Sequence, residues 1–523
     1  MGDGTVRNPV LNADYSDPDV VRVGDKYYMV ASDFHFMGMQ VLESADLVNW
    51  HIVSQIYDRL DYPGWDNNKR YAGGSWAPSI RWHDGRLWVF FCTPHEGLFM
   101  TTATDPAGPW TPLHCVKRVK KWEDPCPLWD DDGQAYLGHS VHGAGPIIVH
   151  RMSADGRELL DEGRTVYEGP VAEGTKWLKR NGSYYLSIPE GGVGEGWQTL
   201  LRSDNIYGPY ERRIVLEQGS TGVNGPHQGA LVDTPDGSEW WFVHFQATTP
   251  LGRVMHLQPA QWTDDGWLTI GEDYDGNGIG EPVASYRKPC PANENNIRPE
   301  LPQTSDEFTA DNLYWRGQQQ SALGLQWQWC HNPVDSAWSL TERDGWLTLH
   351  ALPADSLRDC RNMLTQKVTG YRSEATTLID CRHLTPTTFA GLLCTGKQFR
   401  AIGVSPEGVF TECDGRREMI ASAKVLASDM SSAGVSTDNA PRLIWLRVTI
   451  DNTVNSHRFS YSTDGTTFHP AGEPFAMREG YWKGLRIGMF CYDFAKNGAD
   501  NTGKNVSDKG TAQFDFFRYD ITE

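Results

Sequence analysis

An all-β fold, a five-bladed β-propeller followed by a β-sandwich, is predicted for this 523-residue chain by three features of its sequence. A strand-turn-strand motif recurs five times in the first half, a Pro- and Asn-rich stretch follows it, and short alternating strands separated by Asp-Gly turns fill the rest.

The five copies run from Asp17 to Val30, Trp76 to Phe90, Asp124 to Leu137, Glu173 to Leu186 and His227 to Val243. Each carries a central turn: Gly24-Asp25, Asp84-Gly85, Asp132-Gly133, Asn181-Gly182 and Asp236-Gly237. Asp-Gly and Asn-Gly between alternating apolar runs signal tight hairpins, because both central positions of a type I′ turn need φ > 0. Outer-strand segments such as Ser44-Ala45-Asp46 with Trp50, and Thr104-Asp105-Pro106 through Trp110, extend each hairpin to about four strands. The leading residues lie 59, 48, 49 and 54 positions apart, one blade each. Radial packing then brings the strand starts to one axis, so Asp17, Trp76, Asp124, Glu173 and His227 are expected to converge.

Residues 286–302 contain Pro289, Pro291, Pro299 and Pro302 and are read as a linker, giving a propeller over 1–302 and a second domain over 303–523. Strands such as Trp346 to Leu349, Thr376 to Ile379 and Arg442 to Val448, with turns at Asp414-Gly415 and Asp464-Gly465, make that second domain a sandwich.

Composition narrows the function. With 47 Lys+Arg against 67 Asp+Glu the net charge is −20, which argues against nucleic acid and anionic membrane as partners, since both select a basic face. There is no apolar run of about 18 residues and no signal-peptide pattern at Met1 to Gly4, so a soluble protein of undetermined compartment is expected. The ten cysteines include no CxxC pair and are read as free thiols. Asp273-Tyr274-Asp275-Gly276-Asn277-Gly278 opens like a calcium loop but places Ala284 where a bidentate Glu is needed, so it is read as a polar turn. No GxSxG, P-loop or GxGxxG motif follows a strand.

Three carboxylates around one axis are costly, because like charges resist ionising together. Glycosidic cleavage uses such a set: one carboxylic acid protonates the leaving oxygen, one carboxylate activates water or attacks the sugar, and a third raises the acid's pKa.

Several segments, taken in order along the chain, resemble glycoside hydrolase family 43: Asn8-Pro9-Val10-Leu11 through Asp17-Pro18-Asp19-Val20, Trp76-Ala77-Pro78, Asp124-Pro125 with Asp130-Asp131-Asp132-Gly133, Glu173-Gly174, and Leu251-Gly252-Arg253. Pro125-Cys126-Pro127-Leu128 departs from the more usual Pro-Ser-Leu-Phe type but keeps the carboxylate. The resemblance implies an inverting hydrolase with Asp17 as general base, Glu173 as general acid and Asp124 as the residue that tunes the acid. It also implies that Arg253 binds sugar hydroxyls, that Trp76 and Phe34 wall the pocket, and that His227 sits near the axis beside a water or an ion. No cofactor is required, though a structural calcium ion is compatible with the family pattern. Leu323-Gly324-Leu325-Gln326-Trp327-Gln328-Trp329 resembles the start of the concanavalin-like domain of family members.

The expected partners are arabinose- or xylose-containing oligosaccharides, cut one terminal unit at a time. Ser16-Asp17-Pro18-Asp19 and Phe34-His35-Phe36-Met37-Gly38 lean the reading toward an α-L-arabinofuranosidase, with β-D-xylosidase or a bifunctional enzyme as the alternative. A non-catalytic sugar-binding propeller would lack one of the three acids, and all are present.

Overall fold

A computed structural model describes residues 4–289, 301–309, 314–315, 318–319, 323–432, 443–495 and 509–522. Most of the expected linker, 290–300, lies outside them. The described chain is nearly all β, as predicted, and forms two compact units.

The first unit holds five four-stranded antiparallel sheets in which successive strands are neighbours. Their innermost strands are Ser16–Val23, Trp76–His83, Trp122–Trp129, Lys176–Arg180 and His227–Asp233. Each predicted hairpin joins an innermost strand to the next, with Gly24, Gly85, Gly133, Gly182 and Gly237 all at positive φ. The blades pack face to face. Trp88, Phe90 and Met100 of blade two meet Leu137 and Met152 of blade three. Ile147 and Val149 of blade three meet Leu186 and Leu201 of blade four, and Tyr185 and Leu200 of blade four meet Phe242 of blade five. Met29, Leu42 and Trp50 of blade one share a core with Trp241, Val243 and Leu257 of blade five, which closes the ring. Burying one such large side chain is worth about 1.5–3 kcal/mol, so these contacts set the radial arrangement.

The innermost strands share one irregularity that aims the site. Register shifts occur between Ser16 and Asp19, Trp76 and Ser79, Glu123 and Cys126, and His227 and Gly229. At each bulge one residue takes positive φ: Asp17 (54°), Ala77 (36°), Asp124 (56°) and Gln228 (51°), with Gly174 (64°) in the matching place in blade four. For a non-glycine residue this costs of order 1–3 kcal/mol, and bulges of this kind re-aim side chains.

The bulges also correct the expected equivalence of the five leading residues. Asp17 and Asp124 match Ala77, Gly174 and Gln228. Trp76, Glu173 and His227 match instead the preceding residues of the other blades, Ser16 and Glu123. The repeat read from turns and apolar runs had mixed two adjacent positions, because a bulge inserts one residue without disturbing the pattern on either side.

The second unit contains an eight-stranded sheet, with Arg486–Phe494 between Asn362–Lys367 and Thr388–Thr395, and a seven-stranded sheet, with Thr511–Ile521 between Leu347–His350 and Arg372–His383. Buried Leu364, Leu392 and Met489 on one sheet, and Ile379, Leu446 and Phe514 on the other, supply the core of this β-sandwich. Residues 58–72 belong to this unit although they fall between the first two blades in sequence. Trp65 is fully buried, Asn68 Nδ2 donates to Cys360 O at 2.6 Å, and the Leu60 amide donates to Asn332 Oδ1 at 2.9 Å. All nine described cysteines are free.

Candidate active site

The bulges present Asp17 and Asp124 from blades one and three, each 4% exposed or less. Ser32 Oγ donates to Asp17 Oδ2 at 2.6 Å, and the Arg253 guanidinium pairs with Asp17 Oδ1. Arg253 comes from the third strand of blade five and lies with its guanidinium 4.7 Å from the centre of the Phe245 ring.

Asp124 sits in a neutral cradle. Ser140 Oγ and the Gly174 amide donate to Oδ2 at 2.5 and 2.8 Å, and Gln228 Nε2 donates to Oδ1 at 2.9 Å. Only glycine serves at 174, since a Cβ there would lie 2.3 Å from Pro189 Cδ. Burial raises the Asp124 pKa; the Ser140 and Gly174 donors oppose that, Asp17 adds to it and Lys176 opposes it.

Glu173, half-buried, brings a carboxylate oxygen within 4.8 Å of oxygens on both Asp124 and Glu123. Its pKa is pushed up to about 8, by burial first and then by the charge of Asp124, with Asp17 adding and Arg253 opposing. A carboxyl held protonated near neutral pH beside one that is ion-paired is the division of labour that acid/base cleavage needs.

Phe34 and Trp76 meet edge to face with ring centres 6.4 Å apart, and Trp76 continues to His142 at 5.0 Å. Phe34 is fixed by a bridge to Ser75 beside Gly74, where a Cβ would collide with Phe34 O at 1.8 Å. His227 is fully buried: Nδ1 lies 2.8 Å from Gly225 O, and burial, then Arg253, pull its pKa down to about 3. It is therefore a neutral imidazole donating through Nδ1 and presenting a buried, unpartnered Nε2. That lone pair fits a single axial water or ion. It does not by itself make a calcium site, which takes about six to eight oxygens, and among the described residues His227 joins no group of three ligating side chains. In the Asp273 loop both Asp273 oxygens accept from backbone amides, those of Gly276, Asn277 and Gly278.

Two features were missed in the sequence. Glu123, next to Asp124, completes a group of three carboxyls with Asp124 and Glu173. Asp19, two residues after Asp17, is fully buried between Arg81 at 2.6 Å and Lys176 at 3.7 Å. Aligning the blades by their bulges would have exposed the first; the second joins residues of three different inner strands, Asp19, Arg81 and Lys176.

A five-bladed propeller with carboxyls gathered at its hub is the frame of a glycoside hydrolase. The chain belongs to glycosyl hydrolases family 43, whose model matches residues 6–268, and a β-xylosidase C-terminal concanavalin A-like domain matches residues 319–520. It is 62% identical over 93% of its length to a provisionally named β-xylosidase of Xylanibacter ruminicola, covering 86% of that protein. A β-xylosidase of Formosa agariphila is 32% identical over 99% of the chain and 91% of the relative. A non-reducing end α-L-arabinofuranosidase of Bacteroides ovatus is 30% identical over 66% and 65%. Among solved structures, a bifunctional GH43-CE protein of Bacteroides eggerthii superposes with TM-score 0.82 at 27% identity, over 99% of this chain and 64% of that longer one. A mutant of the GH43 protein BlXynB of Bacillus licheniformis does so with TM-score 0.79 at 25%, over 99% and 100%. Among the described residues no helix is long and apolar enough to cross a membrane.

Proposed function

We propose that this glycosidase is an exo-acting, inverting β-D-xylosidase that removes terminal xylosyl units from xylan-type oligosaccharides. The pentose is chosen on the names of its relatives: proteins matching 93% and 99% of the chain carry β-xylosidase names, and so does the model of the second domain. This reverses the lean toward arabinofuranosides drawn from Ser16 to Asp19 and Phe34 to Gly38. That reading stands second, supported by the Bacteroides ovatus relative.

In the proposed reaction Asp17 takes a proton from water as the oxygen attacks the anomeric carbon. Glu173 gives its proton to the departing oxygen, and both groups exchange protons with solvent to reset. Asp124 keeps Glu173 protonated through its charge, Arg253 and Ser32 hold Asp17 in place, and Phe34 and Trp76 wall the sugar. The observation that carries the roles is the contrast between Asp17, ion-paired with Arg253, and Glu173, half-buried beside Asp124 and raised to about 8. A panel of nitrophenyl glycosides tests the substrate. Cleavage of neither pentoside would sink the reading, and faster cleavage of the arabinofuranoside would promote the second one. Proton NMR of the first-released anomer tests inversion.

A further inference from the structure

Glu123 is a buried carboxyl that the acid/base roles leave unused. In the bulge register it occupies in blade three the position that Glu173 occupies in blade four, so the fold turns both toward the axis. It is 8% exposed, and one of its oxygens lies within 4.8 Å of oxygens on Asp124 and Glu173. Its Oε2 meets His142 Nδ1 at 3.2 Å, while Oε1 is buried without a hydrogen-bond partner.

Buried glutamates that only support this fold look different. Glu190, fully buried, is saturated by Tyr167 at 2.8 Å, Thr199 at 2.5 Å, Trp197 at 3.2 Å and Arg212. Glu412 accepts from the Leu357 amide on one oxygen and from Tyr492 on the other, with Arg417 beside it. Leaving a buried polar atom unsatisfied costs about 1–3 kcal/mol, so an orphan oxygen on a carboxyl clustered with Asp124 and Glu173 calls for a partner that arrives with the ligand.

We propose that Glu123 is a further residue of the sugar site, its unpartnered oxygen bonding a hydroxyl of the terminal pentose while His142 holds the other oxygen. His142 is 38% exposed at its side chain and stands next to Trp76, so the pair continues the wall begun by Phe34. The groups facing Glu123 are Asp124, Glu173 and Asp17, which oppose its ionisation, the Ala144 amide, which favours it, and His142 Nδ1 at 3.2 Å. Burial and the three acids push its pKa up to about 9, so near neutral pH it is the uncharged acid, able to donate to a hydroxyl as well as accept from it. The inference rests on the pentosidase reading above.

The test compares the full-length wild type with Glu123→Gln on nitrophenyl β-D-xylopyranoside and on its 2-, 3- and 4-deoxy analogues. We expect E123Q to lose about 10- to 100-fold in kcat/KM on the complete sugar. One deoxy analogue should cost the wild type a similar factor and then be indifferent to E123Q, because the same bond cannot be lost twice. Equal losses on all four substrates, or a loss below about twofold, would overturn the proposal. Binding of D-xylose is the second measurement: it should raise the Tm of the wild type and not of E123Q, and equal shifts in both would also overturn it. Should E123Q fail to fold, Glu123→Asp, which keeps the acid but withdraws it by one methylene, should show the same single-hydroxyl pattern. A wild type that binds xylose through Glu123 yet cleaves no pentoside would refute the proposed function and leave this inference standing.

Discussion

Ser140 Oγ donates to Asp124 Oδ2 at 2.5 Å, from the strand facing the bulge that carries the acid. Ser32 stands in the same place in blade one and donates to Asp17 at 2.6 Å. The fold therefore supplies each bulge carboxylate with one hydroxyl donor from its neighbouring strand. Replacing Ser140 by Ala removes a donor that favours charged Asp124, so the Asp124 pKa rises. Asp124→Asn goes further and removes the charge: the Glu173 pKa falls from about 8, and the alkaline limb of kcat/KM moves down. A pH-rate series on the wild type and this variant is the check; a limb that stays in place refutes the role given to Asp124.

Protonation matters most for a poor leaving group. Glu173→Ala should lose about 10²- to 10⁴-fold on xylobiose and far less on a nitrophenyl xyloside, whereas Asp17→Ala should lose comparably on both, because each substrate needs activated water. Steady-state kinetics on the two substrates decides; equal losses for Glu173→Ala would show that the acid lies elsewhere.

Stability should respond to the same groups. Glu173 and Glu123 titrate near 8 and 9 when folded, against an ordinary value of 4.5, so the folded chain holds protons that the unfolded chain releases. Their contribution is fully present below about pH 4.5 and is lost as pH rises through 8 and 9. The Tm should fall across that window, and E123Q should flatten the fall. A Tm that rises from pH 5 to 9, or the same slope in both proteins, would contradict this.

A fragment ending at residue 302 should be poorly soluble and much less stable than the full chain. Leu60, Trp65 and Asn68 would lose the partners that bury them, including Asn332 and Cys360. Expression of 1–302 and its thermal melt are the check, and a soluble fragment melting with the full chain would refute it.

The sequence showed the architecture because hairpin turns and alternating strands are local signals: Asp132-Gly133 and Asn181-Gly182 mark their turns wherever the chain goes. Asp17, Asp124 and Glu173 were picked out for the same reason, each leading one of the repeated hairpin motifs. Glu123 was hidden because its meaning depends on a one-residue bulge, which leaves no mark in the apolar pattern. Asp19, Arg81 and Lys176 were hidden because their pairing is visible only across blades. The allegiance of residues 58–72 was invisible too, since their partners lie far along the chain.

That last feature has a kinetic face during synthesis. Leu60 leaves the ribosome 272 residues before Asn332, the side chain that receives its amide hydrogen bond. At about 5–20 residues per second, roughly a quarter of a minute to a minute passes in between. Throughout that interval Leu60 and Trp65 must wait in water without their final cover. Slow translation lengthens their exposure, and a nascent-chain chaperone would find its target there before the second unit exists.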